Sequence, residues 1–539
     1  MAESRPSPLP IDGDHLTLAD VVDVARGLRT ARLSGPARAQ MTRSYEWVRE
    51  AGKGDAPVYG VNTGFGSLAR VPIEAKDRAR LSLNLVRSHA AGVGPALPEA
   101  VVRAMMLLRA NALAKGVSGC RPQLVDTILE MLEVGVTPVV PSQGSCGSSG
   151  DLAPLAHLGL VLAAGDHPAR AMFLGEEMSA ADAMGRAGIA RLELEAKDGL
   201  AITNGAQLTT AIGALACFDA GRLIRIAEVA AAMSVDALRG ATRAFHPMVH
   251  RMRPYAGARA TAANLRAMLA GSTLVDSVPG KVQDAYSLRC TPQVLGAARD
   301  TIAFATHQVT VELNAATDNP LILLDAGPAP EGFAHDPENH AFSAGMFHGE
   351  PVGMAMDTLK IAVAEIGSLS ERRLYRLTTG SLSQRLPPGL ARSDRPELGL
   401  MVPQTTAAAL VSENKALGWP ATMDSIPTCE DQEDHVAMST TAARRAAEVV
   451  MNVRRILAIE LLAAANALAF RREEEGDVLQ LGAGTGPALA TVEAALGGFS
   501  AMRAPSDDIA ALDQLLQTDA LFDGLPALLP VGAVPGDGA

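Results

Sequence analysis

The stretch Val450-Met451-Asn452-Val453-Arg454-Arg455-Ile456-Leu457-Ala458-Ile459-Glu460-Leu461-Leu462-Ala463-Ala464-Ala465-Asn466-Ala467-Leu468 contains neither glycine nor proline. It sets Val450, Val453, Leu457, Leu461, Ala464 and Leu468 at nearly heptad spacing. Apolar residues recurring every three to four positions share one face of an α-helix, so this is read as one long helix with a buried seam. Residues 353–378 repeat the pattern with Leu359, Ile366, Leu369 and Leu374. Such stripes are core or inter-subunit seams and carry no chemistry. Thr17-Leu18-Ala19-Asp20, ahead of Val21, Val24 and Leu28, reads as a capping box opening a shorter amphipathic helix. Strand signals are confined to short pieces, 321–324 and 136–140, the latter restricted to a sheet edge by Pro138.

Composition points the same way. Hydrophobic residues make up 48% of the 539 positions and aromatics 3%, so the apolar mass is mostly Ala, Leu and Val, a mixture that favours close-packed helices over sheets. The length exceeds what one core usually supports. The expected fold is mainly α, an elongated bundle of long helices with a smaller mixed N-terminal domain. A net charge of -12 argues against a nucleic-acid partner. Cys120, Cys146, Cys217, Cys290 and Cys429 have no paired spacing, and an odd number cannot all close within the chain, which fits a reducing, cytoplasmic location. The first residues lack the apolar core of a signal peptide. The longest apolar run, 456–470, is interrupted by Glu460 and too short to span a bilayer, so no membrane association is expected. Residues 387–400 read as a surface loop, and the Pro/Gly-rich tail after Leu525 as loosely ordered.

The chemistry gathers at Gly144-Ser145-Cys146-Gly147-Ser148-Ser149-Gly150-Asp151-Leu152-Ala153-Pro154-Leu155-Ala156-His157. By composition alone this is a Gly/Ser turn leading into a helix with Asp151 near its start. Yet Ser148-Ser149-Gly150 also suits the building of an electrophile from backbone atoms. Small residues followed by glycine let the Gly150 nitrogen approach the Ser148 carbonyl carbon. Cyclisation with loss of water, then elimination of the Ser149 hydroxyl, would leave a five-membered ring with an exocyclic methylidene. No ordinary side chain is a good electrophile, so an enzyme activating an amine needs a metal, a cofactor or a modification of this kind.

This window resembles, at every defined position, the signature of the aromatic amino acid ammonia-lyases and aminomutases. There the triplet becomes 4-methylidene-imidazol-5-one (MIO), with alanine usual where this chain has Ser148. The resemblance covers roughly residues 15–525 and implies a self-made MIO from Ser148, Ser149 and Gly150 with no external cofactor and no metal. It also implies a homotetramer whose sites draw on several subunits. Tyr59-Gly60-Val61-Asn62-Thr63-Gly64-Phe65-Gly66 is similar to the family's tyrosine loop, which makes Tyr59 the base for the β-proton; by itself such a Tyr is usually a packed aromatic. Ala201-Ile202-Thr203-Asn204-Gly205-Ala206-Gln207 resembles the segment whose asparagine contacts the ring, although Asn204 alone could be a helix cap. Lys281-Val282-Gln283-Asp284-Ala285-Tyr286-Ser287-Leu288-Arg289-Cys290 resembles the stretch whose arginine holds the substrate carboxylate, and a planar guanidinium suits that task. Gln283, Tyr286 and Phe347 inherit site roles with it.

Substrate choice rests on two further motifs. His89 in Arg87-Ser88-His89 offers a polar partner to an imidazole or a phenol, and similar runs occur in both the histidine branch and the bacterial tyrosine aminomutases. Gln432-Glu433-Asp434-His435-Val436 resembles the histidine branch, where Glu433 could accept from an imidazole N–H. Met401 and Ser412-Glu413-Asn414-Lys415 also look like that branch. Cys429-Glu430-Asp431, Leu398-Gly399-Leu400 and Pro387-Pro388-Gly389 depart from it. The implied reaction is loss of ammonia from L-histidine to give trans-urocanate, with a tyrosine ammonia-lyase or 2,3-aminomutase as the alternative and a catalytically silent helical scaffold as the reading outside enzymes. With the family's architecture as guide, the expected domains are 1–200 with the MIO loop, 201–480 as central bundle and 481–539 as C-terminal segment. His246 and His250 stand four apart, but Pro247 sits where a zinc-protease helix carries its glutamate, so packing is the favoured role.

Overall fold

The computed structural model describes residues 7–54, 56–64, 71–327, 339–392, 398–498, 503–534 and 536. The chain forms two compact units. Unit one comprises Met1–Phe218, Thr306–Asp357 and Pro420–Arg444, and unit two comprises Asp219–Ala305, Thr358–Trp419 and Arg445–Ala539. Long helices dominate: Gln207–Ala237, Thr291–Leu313, Glu350–Thr378 and Ser439–Glu475. Val450, Val453, Leu457, Leu461, Ala464 and Leu468 are all buried, as are Leu359, Ile366 and Leu374, while Leu369 is half-buried. Each such Leu or Val contributes about 1.5–3 kcal/mol on burial, which is why the stripe fixes the helix. No helix among the described residues is long and apolar enough to cross a membrane.

In unit one the helix Glu99–Ala114 is buried from Val102 to Ala114 and packs against Leu18–Ala25 and Pro122–Val134. The capping box forms: the Asp20 N–H donates to Thr17 Oγ1 at 3.2 Å and the Thr17 N–H donates to the Asp20 carboxylate at 3.1 Å. Val21 and Val24 are buried, but the helix stops at Ala25 and Leu28 is 63% exposed, so Leu28 leaves the expected stripe. The sheets are small. Thr137–Pro138 lies at the edge of a three-stranded antiparallel sheet beside Arg170–Phe173 and Glu176–Ser179, the place a proline can occupy. Of 321–324 only Leu321–Ile322 pairs, with Ala341–Phe342. Pro141–Gln143 pairs with Val93–Ala96 and delivers the chain into Gly144.

Unit two is stapled by buried ion pairs. Arg373 lies on Glu460, which also accepts from Ser234 (2.7 Å) and Ser370 (2.5 Å). Arg299 pairs with Glu228 at 2.9 Å, and Thr261 and Asn264 complete that carboxylate at 2.7 Å each. The tail expected to be loose is tied down here. Arg299 Nη2 donates to the Leu529 and Pro530 carbonyls at 2.6 Å, and the Leu529 N–H donates to Asn264. A buried guanidinium needs acceptors, and backbone carbonyls supply them. The expected surface loop 387–400 is also partly interior: Gly389 and Leu390 are buried in a short 3-10 turn, and residues 393–397 lie outside the described residues. His246 caps Pro247–Arg251 through the Met248 N–H, and the buried His250 meets the Ala244 carbonyl.

Candidate active site

The segment from Gly144 to Asp151 joins a strand to the helix Leu152–Leu162 within unit one. Two of its glycines are obligatory. Gly147 and Gly150 have φ of +71° and +73°, and a Cβ would stand 1.9 Å from Ser439 Oγ in the first case and 2.3 Å from the Gly205 carbonyl carbon in the second. Asp151 occupies the N-cap position without capping. Its fully buried carboxylate instead accepts from Ser145 Oγ (2.7 Å), Thr440 Oγ1 (2.6 Å), Thr209 Oγ1 (3.1 Å) and the Thr209 N–H (2.8 Å). Burial pushes the Asp151 carboxyl above the usual carboxylate range, against the pull of these bonds. With the Asp151 N–H on the Gly205 carbonyl at 2.7 Å, they clamp the loop to two other segments.

Asn204 ends the short helix Asp198–Thr203 and donates from Nδ2 to the Ser149 carbonyl at 2.9 Å. Its Oδ1 is buried without a hydrogen-bond partner. The turn carrying it is fixed by Arg109, fully buried, which donates to the carbonyls of Ala201 (2.7 Å) and Thr317 (3.0 Å) and to Gln207 Oε1 (2.8 Å). The residues present therefore fit the self-made ring: a left-handed Gly150 against a backbone cradle that a Cβ would fill, a held carbonyl, and an orphaned acceptor beside it.

Glu433 completes this cluster. Its Oε2 accepts from Ser148 Oγ at 3.0 Å and Thr428 Oγ1 at 2.5 Å, and its Oε1 accepts from Ser149 Oγ. Burial raises the Glu433 carboxyl, but the hydroxyls of Ser149, Thr428 and Ser148 outweigh it and hold the group below its ordinary value. A tight hairpin presents it: Thr428 and Glu433 pair through their backbones, and Cys429, Glu430 and Asp431 between them all have φ of +51° to +62°. Left-handed backbone costs a non-glycine residue about 1–2 kcal/mol, so the run that departs from the histidine branch is also a strained one.

Three other predicted residues belong to unit one. His89 is half-buried, with Nδ1 at 2.8 Å from the Leu85 carbonyl, an atom that can only accept; the tautomer so assigned leaves Nε2 as an acceptor. Burial lowers its pKa, while the Leu85 carbonyl and the Glu433 charge act in the opposite direction. Phe347 is half-buried next to His348, whose ring lies 5.9 Å from that of His435, and the following Gly349 N–H donates to the Gly147 carbonyl at 2.9 Å. Tyr59 is half-buried on a turn whose Val58 and Val61 pack with Val48 and Ile322, and Asn62 ties that turn to the Val58 N–H and the Ala56 carbonyl. Phe65 and Gly66 of the tyrosine loop lie outside the described residues.

Gln283, Tyr286, Arg289 and Met401 belong to unit two. Gln283 is exposed and Tyr286 is 71% exposed. The Arg289 guanidinium sits 4.7 Å from the Tyr286 ring centre, and its Nε is buried without a hydrogen-bond partner. Met401 opens the helix Met401–Leu417 and is 51% exposed. Sequence reasoning missed Arg109, Thr209, Thr428 and Thr440. None stands in a recognisable chemical motif; the one available signal is polarity inside otherwise apolar helices, as at Arg109. A cavity of about 100 Å³ lined by Tyr45, Arg49, Arg78, Glu195, Lys197 and Asp198 includes none of the candidate residues.

Known proteins resemble this chain over most of its length. The family model for the aromatic amino acid lyases matches residues 16–494. A histidine ammonia-lyase of Caldanaerobacter subterraneus is 48% identical over 463 residues, 86% of this chain and 88% of that protein. Among solved structures, the histidine ammonia-lyase of Trypanosoma cruzi superposes with a TM-score of 0.86 at 37% identity, covering 96% of this chain and 94% of that one. The tyrosine aminomutase of Streptomyces globisporus superposes with a TM-score of 0.87 at 34% identity, covering 97% and 100%.

Proposed function

We propose, from the premise that this chain belongs to the aromatic amino acid lyase family, that it eliminates ammonia from L-histidine to give trans-urocanate. The observation that carries this reading is Glu433, an imidazole acceptor seated on the hydroxyls of the two serines that would build the electrophile. The MIO ring, made by the chain from Ser148, Ser149 and Gly150, supplies an electrophilic methylidene for the substrate's amine. Around it, Asn204 Nδ2 holds the Ser149 carbonyl oxygen and stabilises negative charge there. Arg289 binds the substrate carboxylate, for which its unpartnered buried Nε is available. Tyr59 takes the β-proton. Glu433 accepts the imidazole N–H, His89 is a further polar partner for the ring, and Gln283, Tyr286, Phe347 and Met401 keep the substrate-binding roles that the family resemblance gives them.

The active form in this reading is a cytoplasmic homotetramer. Phe304, Val311, Met354 and Ile361 leave apolar surface exposed on two long helices, the kind of face that a second copy covers. The test is ultraviolet product formation with L-histidine, L-tyrosine and L-phenylalanine offered separately. Urocanate from histidine alone is expected. Coumarate or a β-amino acid from tyrosine would instead favour the tyrosine reading, which the His89 acceptor and the aminomutase likeness support.

A further inference from the structure

We propose that Ser148 is a positioning residue that holds the Glu433 carboxylate in register for the substrate's imidazole, an inference that rests on the histidine reading above. Three hydroxyls meet this carboxylate: Thr428 and Ser148 on Oε2, Ser149 on Oε1. Their fates differ. Maturation of the triplet expels the Ser149 hydroxyl, together with the Ser149 α-hydrogen, as water. Oε1 then loses its hydroxyl donor while Oε2 keeps both of its own; the Cys429 thiol also bonds to the carboxylate, and His89 and Cys146 are the other titratable groups that feel its charge. The Ser148 side chain lies outside the ring-forming backbone atoms, so its hydroxyl survives.

A half-buried carboxylate oxygen stripped of its donor takes another, and an imidazole N–H occupying the space left by the Ser149 hydroxyl is such a donor. What remains must keep the carboxylate from turning. Thr428 does so from the base of the hairpin, to which its backbone is tied by the Thr428 N–H on the Glu433 carbonyl at 2.9 Å. Ser148, only 7% exposed, does so from the triplet side. Two hydroxyls from opposite segments on one oxygen fix the plane of the carboxylate and leave the other oxygen directed at the substrate. Alanine, the residue usual at this position in the family, lacks this donor. The hydroxyl is thus an addition peculiar to chains with serine here, bonded to a carboxylate that the strained 429–431 hairpin carries.

The test is equilibrium binding of L-histidine by calorimetry to Ser149→Ala, which has neither ring nor triplet hydroxyl on Oε1, and to Ser148→Ala/Ser149→Ala, each across the acid range. The double variant is expected to bind roughly fivefold to tenfold more weakly, as for loss of one ordinary hydrogen bond that orients the carboxylate. The pH at which its binding fails on acidification moves upward, because the carboxylate has one donor fewer. Equal affinity and an equal midpoint would overturn the proposal. Ser148→Ala alone should retain the mass deficit of two waters and lose kcat/KM for L-histidine through KM. If Ser149→Ala binds too weakly to measure while the parent protein makes urocanate, the KM and acid limb of Ser148→Ala decide by the same criterion. If the parent makes no urocanate and Ser149→Ala binds no histidine, the histidine reading fails and this inference with it.

Discussion

In unit two, Glu460 and Glu228 each lie against a buried guanidinium, Arg373 and Arg299, with hydroxyl or amide donors completing the pair. In unit one, Asp151 and Glu433 face hydroxyls and, for Asp151, a backbone N–H. The first arrangement cancels charge and leaves nothing to react. The second sets a carboxylate by dipoles, enclosed at Asp151 and half-buried at Glu433. Hydroxyl donors are weaker than a guanidinium, so they hold a group that must exchange partners, whereas an ion pair staples a core. The contrast belongs to these carboxylates and not to all in each unit: unit one also holds the buried pair Lys197–Asp318, and Asp236 of unit two faces the hydroxyls of Ser272 and Thr485 and the Gly482 N–H.

The largest expected effect tests the staple. Glu460→Ala leaves the fully buried Arg373 without its carboxylate and should destabilise the protein by about 3–5 kcal/mol in chemical unfolding; a loss within ~1 kcal/mol would break the contrast. Next comes a carboxylate that unit one leaves unneutralised. Burial first, then the nearby Asp151 charge, push Glu312 from 4.5 up to about 7. A carboxyl whose folded value lies above its unfolded one costs stability as pH rises through that window, and the penalty is complete above pH 7. Glu312→Gln should therefore gain on the order of 1–3 kcal/mol above pH 7 and nothing below pH 4.5, read as Tm against pH; a gain independent of pH would contradict the account.

A smaller effect is expected at the clamp. Thr440→Val removes one hydroxyl from Asp151, at a cost of about 1–2 kcal/mol, and the protein should acquire its two-water mass deficit more slowly than the parent in a time course after synthesis. The smallest effect concerns Glu433. Its folded value is depressed, so its stabilising contribution is present above its ordinary 4.5 and is lost as pH falls through the lower folded value. After maturation the Thr428 and Ser148 hydroxyls remain on the carboxylate, so Glu433→Gln should still flatten that acid limb in thermal melts. An unchanged limb would mean that the hydroxyls do not favour the ionised form.

The helical fold is legible wherever periodicity and burial coincide, as at 450–468. It is less so where a local ending intervenes: the helix opened by Thr17 stops at Ala25, so Leu28 keeps the period of a helix that is no longer there. The tail after Leu525 reads as loose because its anchors are backbone carbonyls taken up by Arg299, and carbonyls leave no mark in a sequence. The site divides similarly. The triplet, Asn204 and Glu433 stand in recognisable strings, and the structure brings them together. The partners of Asp151 do not, because Thr209 and Thr440 lie 58 and 289 positions away, beyond the reach of any local pattern. Nor does Gly150 itself disclose that it must pass against the Gly205 backbone.

The most direct test of the central claim, that Ser148, Ser149 and Gly150 form the electrophile, is the intact mass of the purified protein, with the change localised by fragmentation across 144–157. A chain lighter by two waters is expected, with the deficit confined to the triplet and absent from Ser149→Ala. An unmodified triplet in a preparation that releases ammonia from L-histidine would contradict it.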